Sequence, residues 1–221
     1  MRTSRKVVDF DYTPFLGAGY EETQIKPKHL STIVSNHASW LDVPILISHF
    51  KAAFASKKNF RKIPIFGLIV QALGCIFISR GASQEKRDKI VQQIGERQQE
   101  IELLGNYPPI CVFPEGGTTN GQYLMQFKRG AFASLRATKP VVLKYIWSTL
   151  SPAWEVIPFM PLAIMQFSLF YVQCEVIELP TFIPNDYLYE THADKGSDKW
   201  EIYAWAVRQV MSAASGLEQN E

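Results

Sequence analysis

A histidine and an aspartate five positions apart open the case for chemistry, in the run Asn36-His37-Ala38-Ser39-Trp40-Leu41-Asp42. On a regular helix that separation turns through about 140°, which points the two side chains apart. A turn running into a helix brings them together instead. An imidazole titrates near neutrality, and a carboxylate on one ring nitrogen fixes the tautomer and stabilises the imidazolium. Such a pair removes a proton from an alcohol. A plainer reading stays open here: His37 bonded to backbone, Asp42 capping the next helix. His29, His49 and His192 lack a carboxylate at comparable spacing and read as structural or surface groups.

A second polar turn is Phe113-Pro114-Glu115-Gly116-Gly117-Thr118-Thr119-Asn120-Gly121. Paired glycines after a carboxylate expose backbone N–H groups that hold an anion or orient a hydroxyl. A tight turn with a solvated Glu115 is the alternative. Arg80 ends an apolar run, where a guanidinium grips a phosphate with two parallel bonds. Lys128, Arg129 and Lys144 are further cationic candidates, each equally readable as a surface charge on an apolar stem. There is no G-x-S-x-G elbow, and Cys75, Cys111 and Cys174 sit inside apolar runs. Ser39 is the hydroxyl nearest His37, and as a nucleophile it would make the protein a hydrolase.

Short β-rich runs followed by helical patterns must carry these turns, which argues for a parallel sheet covered by helices. Strands are expected over Ser31 to Ser35, Ala52 to Ser56, Cys75 to Ser79, Ile110 to Phe113, Val141 to Tyr145 and Tyr171 to Leu179. Helices are expected over Asp42 to Phe50 and Pro64 to Leu73, where the opening proline sacrifices no bond. A long helix follows Ser83 with Ile90, Ile94, Ile101 and Leu104 on one stripe, ending at Gly105-Asn106. A short helix is expected over Gly130 to Ala137, and a last one from Ser197 or Asp198, with Trp200, Tyr203, Ala204, Val207 and Met211 inward. This predicts one α/β domain over residues 30–215, a lead-in over 1–29 and a frayed tail over 216–221. In open sheets, reactive groups gather beyond the carboxyl ends of strands. The turns after residues 35, 79 and 113 all lie there.

Charge is nearly balanced, 23 basic against 21 acidic residues, which argues against nucleic acid as a partner. Three scattered cysteines, with no C-x-x-C pair and no histidine at ligand spacing, predict buried thiols and no metal. The first thirty residues contain no signal-peptide core. The run Val156 to Cys174 is apolar but holds Pro158, Pro161, Gln166 and Gln173, so core packing or a dip into lipid suits it better than spanning. Lys57, Lys58, Arg61 and Lys62 flank the apolar Ile63 to Val70, a pairing suited to an anionic membrane face.

Together these pieces resemble the glycerolipid acyltransferase family. Its first block, His followed five positions later by Asp, reads His37 to Asp42. Its second, an apolar strand ending in Arg, reads Gly74 to Arg80. Its third, Phe-Pro-Glu-Gly, is Phe113 to Gly116, and its fourth, a proline opening an apolar strand, is Pro140 to Leu143. The run Thr118 to Gly121, then Phe127 to Phe132, is most similar to the lysophosphatidylcholine and lysophosphatidylethanolamine acyltransferase branch. Gly117 stands where the family usually has Thr, and Arg129 where this branch commonly has Pro.

The resemblance implies an α/β fold with a mostly parallel central sheet flanked by helices, and acyl transfer from acyl-CoA to a lysophospholipid. His37 would be the base and Asp42 its orienting partner. Glu115, Gly116, Gly117 and Thr118 would position the acceptor, with Arg80 and Lys128 towards its phosphate. No metal or bound cofactor is implied, acyl-CoA being a co-substrate. The expected setting is a membrane surface, the endoplasmic reticulum, with the site open to cytosolic acyl-CoA. Acylation of lysophosphatidic acid or glycerol-3-phosphate is the alternative within the class. A catalytically inactive lipid-binding protein on the same fold is the alternative outside it.

Overall fold

The computed structural model describes residues 2–57, 66–78, 83–147, 150–154, 157–168 and 171–220. Its strands are β1 (Arg2–Val7), β2 (Thr32–Ser35), β3 (Ala53–Lys57), β4 (Ile76–Ile78), β5 (Ile110–Val112), β6 (Tyr123–Leu124), β7 (Thr138–Ile146), β8 (Gln173–Glu178) and β9 (Glu218–Gln219). The helices are α1 (Thr13–Leu16), α2 (Tyr20–Thr23), α3 (Asp42–Phe50), α4 (Phe66–Ala72), α5 (Gln84–Leu104), α6 (Phe159–Phe167), α7 (Asp186–Thr191) and α8 (Lys199–Ser215).

The main sheet runs β1-β8-β7-β2-β5-β3-β4, and only the β7–β8 pair is antiparallel. This is the mostly parallel α/β sheet expected from the sequence. Strand alternation divides the core in two. Val34, Ile110, Val112, Val142 and Ile177 meet the stripes of α5 and α8 on one face. Ile33, Ala53, Cys111, Val141, Leu143, Tyr145 and Val176 meet Ile45 and Leu46 of α3 on the other. The three cysteines are buried and unpaired. The last helix starts where Asp198 predicted, closed by a capping box with Glu201.

The boundaries differ at both ends. Residues 1–29 are no lead-in: β1 pairs in parallel with β8, and Tyr12, Leu16 and Tyr20 are buried in the core. An exposed edge strand needs backbone partners but few apolar side chains, so its polarity hid it. Within it, Arg5 pairs with the buried Glu178, which Lys139 also contacts at 3.0 Å. The expected frayed tail instead buries Leu217 and adds β9 beside β6. The helix expected over Gly130 to Ala137 is only a 3-10 turn, Arg129–Ala131. There the chain turns through Leu135 at positive φ and enters β7 at Thr138, three residues earlier than expected. The apolar run from residue 156 onward divides into α6 and β8. Among the described residues no helix is long and apolar enough to cross a membrane.

Candidate functional site

Because β2, β5 and β7 run parallel, the loops after β2 and β5 and the end of β7 meet at one end of the sheet. Asn36 fixes the first loop. Its buried amide donates to the Leu143 carbonyl at 3.0 Å and accepts the Leu143 N–H at 2.8 Å, prolonging the pairing of β2 with β7. The chain then wraps around its own carboxylate. Asp42, wholly buried in the first turn of α3, accepts the Ala38 and Ser39 N–H groups on Oδ2, at 2.8 and 2.9 Å. A helix start also favours that negative charge.

The same Oδ2 lies 2.8 Å from His37 Nδ1. The five-residue spacing that a helix would splay is closed by this loop. With Nδ1–H donated to Asp42, Nε2 becomes the basic nitrogen. The ring stacks on Phe113, centroids 4.0 Å apart and 13° from parallel, and Phe113 stacks in turn near Phe54. One edge of the imidazole is thus hydrogen-bonded and one face covered, while the side chain keeps 18% exposure. A ring held in that way can act as a base through its second nitrogen.

Glu115 is not the solvated carboxylate of the plainer reading. It is 5% exposed, and its two oxygens accept the N–H groups of His37 at 2.7 Å and Met125 at 3.1 Å. It braces the backbone of the histidine from the other loop. Thr119 N–H to the His37 carbonyl and Trp154 N–H to the Ala38 carbonyl, both 2.8 Å, complete the bracing. Burial raises the Glu115 carboxyl from 4.5 to about 7. Between those values the folded state holds the proton more tightly than the unfolded chain, so stability falls as pH rises through this window and levels above it. The slope should total on the order of 3 kcal/mol. Glu115→Gln should remove it, because an amide does not titrate. Denaturant melts of both proteins from pH 4.5 to 8 measure this, and parallel curves would refute it.

Gly116 needs its glycine: φ is +76°, and a Cβ there would meet Lys128 Nζ at 2.6 Å. Its N–H goes to the Phe113 carbonyl at 3.2 Å, closing the turn. Gly117 has open space around it, so nothing in the packing forbids a side chain there. Gly117 is exposed, Thr118 is half-buried, and the exposed Lys128 lies over Gly116. Gly116 and Lys128 thus lie together on the loop whose Glu115 and Thr119 bond the His37 backbone. Arg80, Lys58, Arg61 and Lys62 lie outside the described residues. Arg129 pairs with Asp88 at 3.3 Å, and Lys144 caps the end of α8 through the Ser215 carbonyl at 2.8 Å. Both serve the fold. Ser39 is fully buried and its hydroxyl accepts the Leu41 N–H at 3.3 Å, a poor placement for a nucleophile. Among the described residues no three His, Cys, Asp or Glu side chains gather as a metal site.

Sequence reasoning missed Tyr145, whose hydroxyl donates to Asp42 Oδ1 at 2.5 Å from 103 positions away. It also missed Gln166. From the inner face of α6, Gln166 accepts the Trp40 indole N–H and donates to the Pro152 carbonyl. A polar residue inside an otherwise apolar stretch was the available signal for the second; the first had none.

Known proteins resemble the chain in this same region. The acyltransferase family profile matches residues 19–164. Lysophospholipid acyltransferase LPEAT1 of Arabidopsis thaliana is 33% identical over 89% of this chain and 47% of its own. Lysophosphatidylcholine acyltransferase 1 of Homo sapiens is 30% identical over 98% and 41%. The chain therefore spans less than half the length of either. The 1-acyl-sn-glycerophosphate acyltransferase PlsC from Thermotoga maritima superposes with a TM-score of 0.54 over 96% of this chain and 72% of that one, at 17% identity, a likeness of fold.

Proposed function

This chain belongs to the acyltransferase family, and from that premise we propose that it transfers a fatty acyl group from a coenzyme A thioester to the hydroxyl of a lysophospholipid. The observation that carries this reading is the His37–Asp42 bond of 2.8 Å, on a side chain that keeps 18% exposure. His37 Nε2 takes the proton of the acceptor hydroxyl as its oxygen attacks the thioester carbonyl. The tetrahedral intermediate collapses, the C–S bond breaks, and the thiolate recovers the proton from the imidazolium. Asp42 stabilises that imidazolium. Gly116 N–H is already committed within its turn, which leaves Gly117 and Thr118 N–H as the donors of this turn for the oxyanion.

Lysophospholipid as the acceptor, rather than lysophosphatidic acid or glycerol-3-phosphate, rests on the relatives named lysophospholipid and lysophosphatidylcholine acyltransferases. Within it, Lys128 beside Gly116 and, by the family resemblance, Arg80 meet the acceptor phosphate. Purified protein in lipid, given labelled acyl-CoA and a panel of lysolipids and glycerol-3-phosphate, tests the reading. Acyl transfer with matching thiol release is expected, fastest with lysophosphatidylcholine or lysophosphatidylethanolamine. Thiol release without an acceptor would point to hydrolysis, and none at all to the inactive lipid-binding alternative.

The same reading sets the site at a membrane face open to cytosolic acyl-CoA, that of the endoplasmic reticulum. The outer side of α6 supports it: Met160, Ile164, Met165 and Phe167 are exposed there without a charged neighbour on the helix. Phe167 touches Trp40 of the histidine loop, ring centroids 5.8 Å apart. The protein should float with anionic liposomes, and Ile164→Ser with Phe167→Ser should weaken that binding by at least tenfold, since each side chain contributes up to roughly 1.5–3 kcal/mol when fully buried. Protein remaining in the soluble fraction would defeat the membrane assignment.

A further inference from the structure

Tyr145 lies on β7 beyond the last residue that β2 pairs with, Ser35 opposite Val141. Alternation along the strand puts Val141, Leu143 and Tyr145 on the α3 face, so the overhanging phenol hangs over the loop that holds Asp42. Its residue is 7% exposed, and its hydroxyl meets Asp42 Oδ1, the oxygen that His37 does not use. Among the described residues Oδ2 serves three donors, His37 Nδ1 and the Ala38 and Ser39 amides, and Oδ1 takes only Tyr145. We propose that Tyr145 is a positioning residue of the catalytic site, extending the His37–Asp42 pair to a third member and setting how strongly Asp42 holds the imidazolium.

The physical argument is a competition for one negative charge. Each donor on a carboxylate withdraws charge that would otherwise stabilise the ring. The phenol keeps its proton at working pH, because burial and the neighbouring Asp42 push its ionisation well up. It is therefore a constant donor. It also locks the carboxylate plane, and so the ring, against rotation. Other titratable groups facing Asp42 are the Cys111 and Cys174 thiols, both pushed up by burial, and Glu115.

This inference rests on the general-base reading of His37, but its test does not require turnover. The Glu115 carboxyl, raised to about 7 by burial, would add its own ionisation to a rate profile; nuclear magnetic resonance of nitrogen-labelled histidine follows the ring directly. The His37 signals are assigned by their loss in His37→Ala. In Tyr145→Phe, Asp42 regains charge for the ring, and the His37 midpoint should move up by roughly half to one pH unit. Turnover should fall about tenfold as the carboxylate loses its anchor. Placing 3-fluorotyrosine at 145 strengthens the donor without changing the packing, and the midpoint should move down. A midpoint unmoved in both proteins would make Tyr145 a packing residue and overturn the proposal. Should Tyr145→Phe fail to fold, the fluorotyrosine titration decides alone. Wild-type protein without acyl transfer would sink the proposed function while the titration still judged Tyr145.

Discussion

His37→Ala loses about 10²- to 10⁴-fold of the acyl-transfer rate and keeps its fold. The rate falls because, among the described residues of the site, no other side chain is placed to take the acceptor proton: Glu115 spends both oxygens on backbone amides, and Asp42 is closed off from solvent. The fold survives because the loop is held by backbone and by Asn36, not by the ring. His37 N–H remains on Glu115, its carbonyl on Thr119, and Asn36 on Leu143. The ring rests on Phe113 and is partly open, so its removal leaves a shallow, solvent-accessible gap. The check is a thermal melt beside a single-turnover assay. Turnover near that of the wild type in a folded variant would remove the central claim.

Asp42→Asn is expected to fall within the same range of loss while remaining folded. An amide fits the hydrogen bonds if its oxygen faces the Ala38 and Ser39 N–H groups, with its nitrogen donating to the Tyr145 oxygen. What disappears is the negative charge that stabilises the imidazolium, a change that costs serine proteases about four orders of magnitude. Asp42→Ala is the harsher variant, since it orphans two buried amides, at about 1–3 kcal/mol each. If the two residues act as one unit, His37→Ala with Asp42→Asn should be scarcely slower than His37→Ala alone. Losses that multiply would mean that Asp42 serves substrate or fold by a separate route.

How far the sequence reveals this site depends on distance along the chain. The His37–Asp42 pair lies within one loop, and its residue types and spacing already raise the pairing that the loop makes. The Phe-Pro-Glu-Gly turn is equally legible as a turn, through its paired glycines. The job of Glu115 is not, because a carboxylate beside glycines looks solvated until the loop from Asn36 closes over it. Tyr145 reads as one more apolar strand position, since alternation cannot say which buried tyrosine will meet a carboxylate 103 residues away. Strands with apolar runs are visible for the same reason that β1 is hidden: burial leaves a pattern, and backbone pairing at an edge leaves none. At the other end, Leu217 is a single apolar residue in a polar tail, too little to announce β9.

The bracing of His37 has a consequence for the order in which the molecule assembles. The bonds that define the site join residues 78, 103, 107 and 126 positions apart, and the strands behind them pair in parallel. Closing such long loops comes late, after local helices have formed. During synthesis at about 5–20 residues per second, the His37–Asp42 loop emerges well before β7 and α6 exist to hold it. A nascent chain therefore carries the reactive pair long before it carries the base. The loop takes its final geometry only when the far side of the sheet docks.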